Sequence, residues 1–275
     1  MKKVKKMKLT RDNYFSKEAE GIYLGSTSFK SWDILGQGCE AKELAKLKGE
    51  WEEEESKALL VGSYVHAWNS GELEEFKAKN KDKIYQKNGK MYADFLKADN
   101  MIKVLKDDPL VSKVREGEKE KIFTGEIAGV PFKIQVDILN LKMGYFADLK
   151  TTADLRKTYW VNGSKGTFID QYNYYTQIAI YAEILRQNIG LKDYLEPYLI
   201  VVDKQEIPDH EVIYMGKGFI QEYLEYIESR LPNIMEVREG LREPIKCGKC
   251  EYCRSKKRLK QPISLSDYEF NLNIY

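Results

Sequence analysis

The stretch "GVPFKIQVDILNLKMGYFADLKTTADL", residues 129–155, decides how this chain is read. Two runs of alternating apolar and polar residues flank "NLKMG", whose asparagine and glycine mark a turn. A third run, starting near Glu118, leads into them through a turn at Ala128-Gly129. Side chains alternate across a strand. Phe132, Ile134, Val136 and Ile138 are therefore expected on one face, and Lys133, Gln135 and Asp137 on the other. In the next strand Tyr145, Ala147 and Leu149 share a face, leaving Phe146, Asp148 and Lys150 opposite.

Residues two apart on a strand lie roughly 7 Å apart with the same facing, so Asp148 and Lys150 can reach one centre without colliding. Asp137 joins them if the strands pair. Two carboxylates suit a hard cation such as Mg2+, which binds phosphate oxygens, and an ammonium beside it can position water and stabilise phosphate charge. The competing reading is a plain salt bridge on a sheet surface, which any Asp-x-Lys can make. The triplet alone leaves both open.

Outward from this stretch the pattern turns helical. "STSFKSWDILGQG" begins with the capping residues Ser26, Thr27 and Ser28 and predicts a short helix. Helical spacing continues from Lys42 to Ser70 with a break near Gly49, then from Leu73 to Lys79 and from Tyr92 to Leu105. After the strands, "FIDQYNYYTQIAIYAEILRQN" reads as one long helix, "EPYLIVVD" as a buried strand and "EVIYM" as its shorter partner. A last helix is expected over 216–237, interrupted or bent at Pro232.

At 275 residues, with 19 tyrosines and a formal charge of +2, the chain suits one compact domain and implies no globally basic partner surface. A mainly helical part over 1–117, a core over 118–238 and a Cys-rich, basic segment over 239–275 are expected. The lysine-rich start "MKKVKKMK" lacks the apolar stretch of a secretory signal, and no run approaches a membrane span. A soluble, cytoplasmic protein with no membrane partner is expected, its lysine run a solvated tail or a binding arm.

"CGKCEYC" clusters Cys247, Cys250 and Cys253, with Cys39 as the remaining cysteine. In the cytosol such clustering favours metal over disulfides. Three cysteines in seven residues suit an iron-sulfur cube, with Cys39 as fourth ligand; zinc, or thiols with no metal, are the alternatives. The run that follows, with Arg254, Lys256, Lys257 and Arg258, is either a solvated charge cluster or a holder of DNA phosphates. Ser26, Thr27 and Ser28, with Lys30 nearby, either cap a helix or accept a terminal phosphate.

The ordered set "GSYVH" with His66, "GVPFKIQVDIL" with Asp137, "FADLKTT" with Asp148 and Lys150, and "QIAIYAE" with Gln177 and Tyr181 resembles the PD-(D/E)xK nuclease superfamily. Within it the chain looks like the RecB-type and phage RecE-like, exonuclease VIII-type branch, related to lambda exonuclease. The resemblance implies an α/β, restriction-endonuclease-like core: a mixed central β-sheet flanked by α-helices, closed by a helical amino-terminal part. It implies that Asp137, Asp148 and the Leu149 carbonyl hold Mg2+ or Mn2+, with His66 beside them and Glu120 as a further carboxylate. Lys150 would position water or stabilise charge, and Gln177 and Tyr181 would orient the lysine or the scissile strand. Some RecB-like nucleases hold a 4Fe-4S cluster on one early and three late cysteines. The implied activity is processive 5′-to-3′ digestion of linear double-stranded DNA, leaving 3′ single strands for a phage annealing protein. A homo-oligomer, such as a trimeric ring, and a bacterial or prophage source go with it. The rivals are a single-strand-specific nuclease like those of CRISPR adaptation and a non-catalytic zinc module that binds nucleic acid.

Overall fold

The computed structural model describes residues 7–53, 56–161, 163–259 and 261–268. Apart from Lys8, the amino-terminal lysine run lies outside them. Helices come first: α1 (Lys17–Ile22), α2 (Ser26–Trp32), α3 (Glu40–Leu47), α4 (Lys57–Ser70), α5 (Leu73–Lys79), α6 (Lys81–Ile84), α7 (Ala93–Asp107) and α8 (Pro109–Val114). Strands β1 (Glu118–Ile127), β2 (Val130–Asn140) and β3 (Tyr145–Thr152) follow, then a small hairpin of β4 (Tyr159–Val161) and β5 (Ser164–Gly166). The chain continues through α9 (Phe168–Gln171), α10 (Tyr174–Ile189), β6 (Glu196–Asp203), β7 (His210–Tyr214), α11 (Ile220–Arg238) and α12 (Glu251–Ser255).

The central sheet has five strands in the order β1-β2-β3-β6-β7. It is mixed, because β3 and β6 run parallel while the other neighbours are antiparallel. A parallel pair needs a crossover, and the segment containing α10 supplies it. Ala128 and Gly129 both have positive φ, 47° and 77°, as a two-residue primed turn requires, and they close β1 directly onto β2. Helices cover both faces, giving the restriction-endonuclease-like arrangement. On one side Phe132, Ile134, Val136 and Phe146 pack with Phe29 of α2, Ile178 and Leu185 of α10, and Ile227 of α11. On the other, Ile138, Ala147, Leu149 and Ile200 pack with Tyr64 and Val65 of α4 and Phe95 and Leu105 of α7.

Several local expectations change. Ile138 does not share a face with Phe132, Ile134 and Val136; it joins the opposite cluster, and Leu139 takes its place. The alternation slips at Asp137, where the β1–β2 register skips Glu120 and Glu120 itself adopts a left-handed φ of 52°. In β3 the alternation is regular, with Phe146 in one cluster and Ala147 and Leu149 in the other. The expected helix over 168–188 is two helices, since Asn173 turns left-handed at φ 48° and its side chain caps the amide of Thr176. Helix α2 is capped at Gly25 by backbone alone, with Ser26 already its first residue. Helix α11 begins at Ile220 and runs through Pro232 to Arg238. The β4–β5 hairpin carries no apolar alternation and was not anticipated.

Phe132 is fully buried at the middle of the larger cluster. Phe132→Ala should lower the unfolding free energy by about 3–5 kcal/mol in urea titrations followed by circular dichroism. A loss below about 1 kcal/mol would mean this side of the sheet is not packed as described.

Candidate active site

Strands β2 and β3 pair at Ile138↔Ala147, Leu139↔Phe146 and Asn140↔Tyr145, and the pairing stops there. Beyond it Asp137 turns its carboxylate to β3 and accepts the Leu149 amide on Oδ2 at 2.7 Å, taking the place of a backbone carbonyl. Further down, the edge of β2 that β3 has left is met by Leu24, which donates to the Pro131 carbonyl and accepts from the Lys133 amide, each at 2.9 Å. The parted strands hold the site between them.

Helix α4 brings His66 to this opening, its Nδ1 3.4 Å from Asp137 Oδ1. Gly62, one turn earlier, faces β3: a Cβ there would stand 3.4 Å from Thr151 Oγ1. Glu120 enters from β1, its Oε2 held at 2.7 Å by Gln135 Nε2. Its Oε1 is buried with no hydrogen-bond partner. One ligand atom each from His66, Glu120 and Asp137 lies within 4.8 Å of the others.

Asp148 and Lys150 face the α10 side, with Nζ 2.5 Å from Asp148 Oδ2. Gln177 of α10 donates Nε2 to Asp148 Oδ1 at 2.8 Å. One turn on, Tyr181 is buried against Phe146. The Tyr174 ring lies under Lys150, 5.0 Å from Nζ to its centroid. Leu149 donates its amide to Asp137, and the carbonyl of a strand residue points to the same edge as its amide, here the edge facing the gap.

Burial acts on every charge here, and the neighbours decide the outcome. Asp148 is pushed above the usual carboxylate range by burial and the Asp137 charge, despite Lys150. Asp137 goes down, because His66, Lys150 and the Leu149 amide outweigh its burial. His66 goes up, since Asp137 overcomes the burial that would deprotonate it. Burial and the Asp137 charge raise Glu120 to about 7. Lys150 stays protonated, held up against burial by Asp148, Tyr174 and Asp137.

The donor set fits a hard divalent cation. Carboxylate oxygens with one imidazole suit Mg2+ or Mn2+. The orphaned Glu120 oxygen, and the repulsion that keeps this carboxyl half-protonated near neutrality, are what an added positive charge would relieve.

Lys30, on α2, reaches the same region, donating Nζ to the Tyr172 carbonyl at 2.9 Å and lying 5.5 Å from the Tyr174 centroid. Burial and the neighbouring Lys150 lower it to about 8. Ser26 is buried on α2, whereas Thr27 and Ser28 line a separate cavity with Phe15, Trp32, Trp51 and Arg238. Arg254, Lys256, Lys257 and Arg258 are exposed on and just after α12, a segment that packs on α3.

The four cysteines converge. Cys39 Sγ lies 3.5 Å from Cys253 Sγ, Cys247 Sγ lies 3.9 Å from Cys253 Sγ, and all four sulfurs fall within 4.8 Å of one another. None forms a disulfide.

Sequence reasoning passed over several contributors. Asn69 is three residues after His66 on α4; it donates to the Asp137 carbonyl at 3.4 Å and accepts from Arg115 Nε at 2.9 Å, while the Arg115 guanidinium stacks 3.6 Å from the Trp68 ring centroid. Its helical spacing from His66 was a usable signal. Gln135, two before Asp137, had the parity that places it beside Glu120. Lys133, 1 % exposed, is a polar residue on the core strand whose ammonium binds the Tyr14 carbonyl and, at 2.7 Å, Glu20. Nothing local announces those partners, more than a hundred residues away.

A carboxyl whose folded pKa is raised binds protons more tightly folded than unfolded, so its ionisation destabilises the fold as pH rises from about 4.5 to 7. In EDTA at pH 8, Glu120→Gln should therefore raise Tm by a few degrees, with no gain at pH 4. Saturating Mn2+ should stabilise the unaltered protein more than the variant. An equal Tm for both proteins at pH 8, with and without Mn2+, would remove Glu120 from the cation site.

Comparison with known proteins accords with this geometry. Residues 25–256 match the family described as a PDDEXK-like domain of unknown function (DUF3799). A crystal structure from Eubacterium rectale, named "Putative exonuclease", is similar at a TM-score of 0.88 and 35% identity, over 96% of this chain and 98% of that one. Among curated proteins no match was found. With the match running from α2 to α12 and so through every residue of the candidate cation site, the chain belongs to the PDDEXK-like DUF3799 family.

Proposed function

We propose that this protein is a Mg2+- or Mn2+-dependent nuclease that hydrolyses DNA phosphodiesters from an end. The observation that carries the proposal is the meeting of two groups at the parted strands: His66, Glu120 and Asp137 on one side, and the Asp148–Lys150 pair on the other. The Eubacterium rectale relative carries the name of an exonuclease, which supports action at ends.

His66, Glu120 and Asp137 would hold the cation, with Asp148 completing the negative field around it. When bound, it supplies Lewis acidity toward a phosphate oxygen and the attacking water. Lys150, protonated at neutral pH, cannot take a proton; it orients water and offsets charge growing on the phosphate. Gln177 fixes Asp148 and, through it, the ammonium. Lys30, poised near pH 8 beside Lys150, gains its full charge when a phosphate approaches.

Nucleic acid is the substrate class the surroundings favour. Tyr159, Tyr172 and Tyr174 form a chain of ring contacts, 6.2 and 5.9 Å between centroids, leading from the β4–β5 hairpin to the ring under Lys150. Trp160 at the hairpin is 72% exposed, and Lys157 lies over Tyr159. Exposed aromatics among cations suit unpaired bases. That feature also supports the second reading, a nuclease specific for single strands. In the first reading, linear duplex is digested 5′ to 3′ by a ring of subunits that hands 3′ strands to an annealing protein.

Duplex and single-stranded DNA, labelled at either end, should be degraded by the unaltered protein with Mg2+ and left intact with EDTA. Lys150→Ala and Asp148→Asn should each lose at least about 10²-fold in rate while DNA binding survives. An unaltered protein inert with both Mg2+ and Mn2+, or a Lys150→Ala variant of undiminished rate, would overturn the proposal. Release of label from one strand end sets the polarity, and the preferred substrate chooses between duplex and single-strand readings.

A further inference from the structure

The four cysteines join distant parts of the chain. Cys39 stands at the start of α3, and Cys247, Cys250 and Cys253 lie on a tight loop leading into α12, beyond the last residue of α11. Gly248, at φ 78°, makes the loop possible, since a side chain there would be strained. The loop aims two amides at sulfur: Cys250 N–H at Cys247 Sγ, 3.3 Å, and Cys253 N–H at Cys250 Sγ, 3.4 Å. Amide donors of this kind stabilise thiolates. Cys39 and Cys253 are buried, and an edge-to-face contact between Trp51 and Tyr252 lies alongside. Buried Glu40, next to Cys39, clips the same two segments by accepting Arg242 Nη2 at 2.7 Å and the Ile245 amide at 2.8 Å.

Sulfur spacing distinguishes one ion from a cluster. Four thiolates at about 2.3 Å from a single tetrahedral ion stand about 3.8 Å from each other. A four-iron cube carries its thiolates outside its corners, which forces them roughly 6 Å apart. Here all four sulfurs lie within 4.8 Å of one another, with contacts at 3.5 and 3.9 Å. The cube that the family resemblance implied does not fit between them without moving α3 away from α12.

We propose that Cys39, Cys247, Cys250 and Cys253 bind a single tetrahedral zinc ion, in place of a 4Fe-4S cluster, and that this ion staples α3 to the carboxyl-terminal segment. The site is closed, with four protein ligands and no open position, so its role is structural. It stands apart from the proposed nuclease reaction and does not depend on it.

The test is metal analysis of the full chain, purified under argon to protect any oxygen-sensitive cluster. The expected result is one zinc per chain, no acid-labile sulfide and no absorption near 400 nm. Titration of the thiols with a mercurial should release that zinc to a chromophoric chelator. Cys250→Ser should lose the zinc and lower Tm. Should that variant fail to fold, the mercurial titration of the unaltered protein still decides. Asp148→Asn should keep its full zinc, so loss of nuclease activity and loss of this ion are read separately. About four irons with sulfide per chain, one iron without sulfide, or metal-free thiols in the argon-purified protein would each overturn the proposal.

Discussion

The site depends on the departure of β3 from β2. Two antiparallel strands that stayed paired would join Asp137 to Asp148 through backbone hydrogen bonds and leave no room between them. The ladder stops one residue short, and the Asp137 carboxylate accepts the Leu149 amide that the stop leaves without a carbonyl. That single 2.7 Å bond satisfies a buried donor, fixes the Asp137 side chain and keeps the gap open. The cost appears on both flanks. Leu24 must supply the missing edge to β2, and β1 must pass Glu120 in a left-handed conformation opposite the gap.

Electrostatics follow from the same gap. Asp137, Asp148 and Glu120 are brought together out of water, and the protein's own compensation is unequal. Asp137 receives His66 and an amide and stays ionised; Asp148 has Lys150 and Gln177, yet burial holds its pKa up; Glu120 has a hydrogen bond from Gln135 and the charges of His66 and Arg11, yet titrates near neutrality. Glu120 keeps a deficit, one of its oxygens being buried without a hydrogen-bond partner. A structural salt-bridge network would have closed that deficit with another lysine or arginine. Lys119, the neighbour of Glu120 on β1, instead donates its ammonium to the Arg115 carbonyl and is lowered to about 8 by burial and Arg115. A simple sheet-surface salt bridge between Asp148 and Lys150 accounts neither for the burial of Asp148 nor for the orphaned Glu120 oxygen.

Much of this was legible in the sequence where the backbone is regular. Strand β3 alternates without interruption, so parity placed Asp148 and Lys150 on one side and Ala147 and Leu149 on the other. His66 and Gln177 were legible only through the resemblance, because each reaches the site by tertiary packing of a helix against the sheet. Parity failed at Ile138, and the reason is physical: the register skips Glu120, whose left-handed φ of 52° a glutamate does not advertise. Asn173 was different. Asparagine tolerates the left-handed region and caps helices, so the break between α9 and α10 was written in the sequence beneath a strong apolar period.

The cysteines show where such reading ends. Their clustering and the distant partner Cys39 were legible from spacing, but the spacing of three cysteines in seven residues accommodates one ion or four. What separates the cases is how closely α3 approaches the loop before α12, and that distance is set by residues outside the cysteine motif. Glu40 grips Arg242 and Ile245, and Arg230 of α11 binds buried Asp33 at 2.9 Å, drawing the end of α2 onto the same helix. With α2 also supplying Phe29 to the core and Lys30 to the candidate site, the cysteine cluster and the opening between β2 and β3 are braced by one short stretch of chain, 26–47.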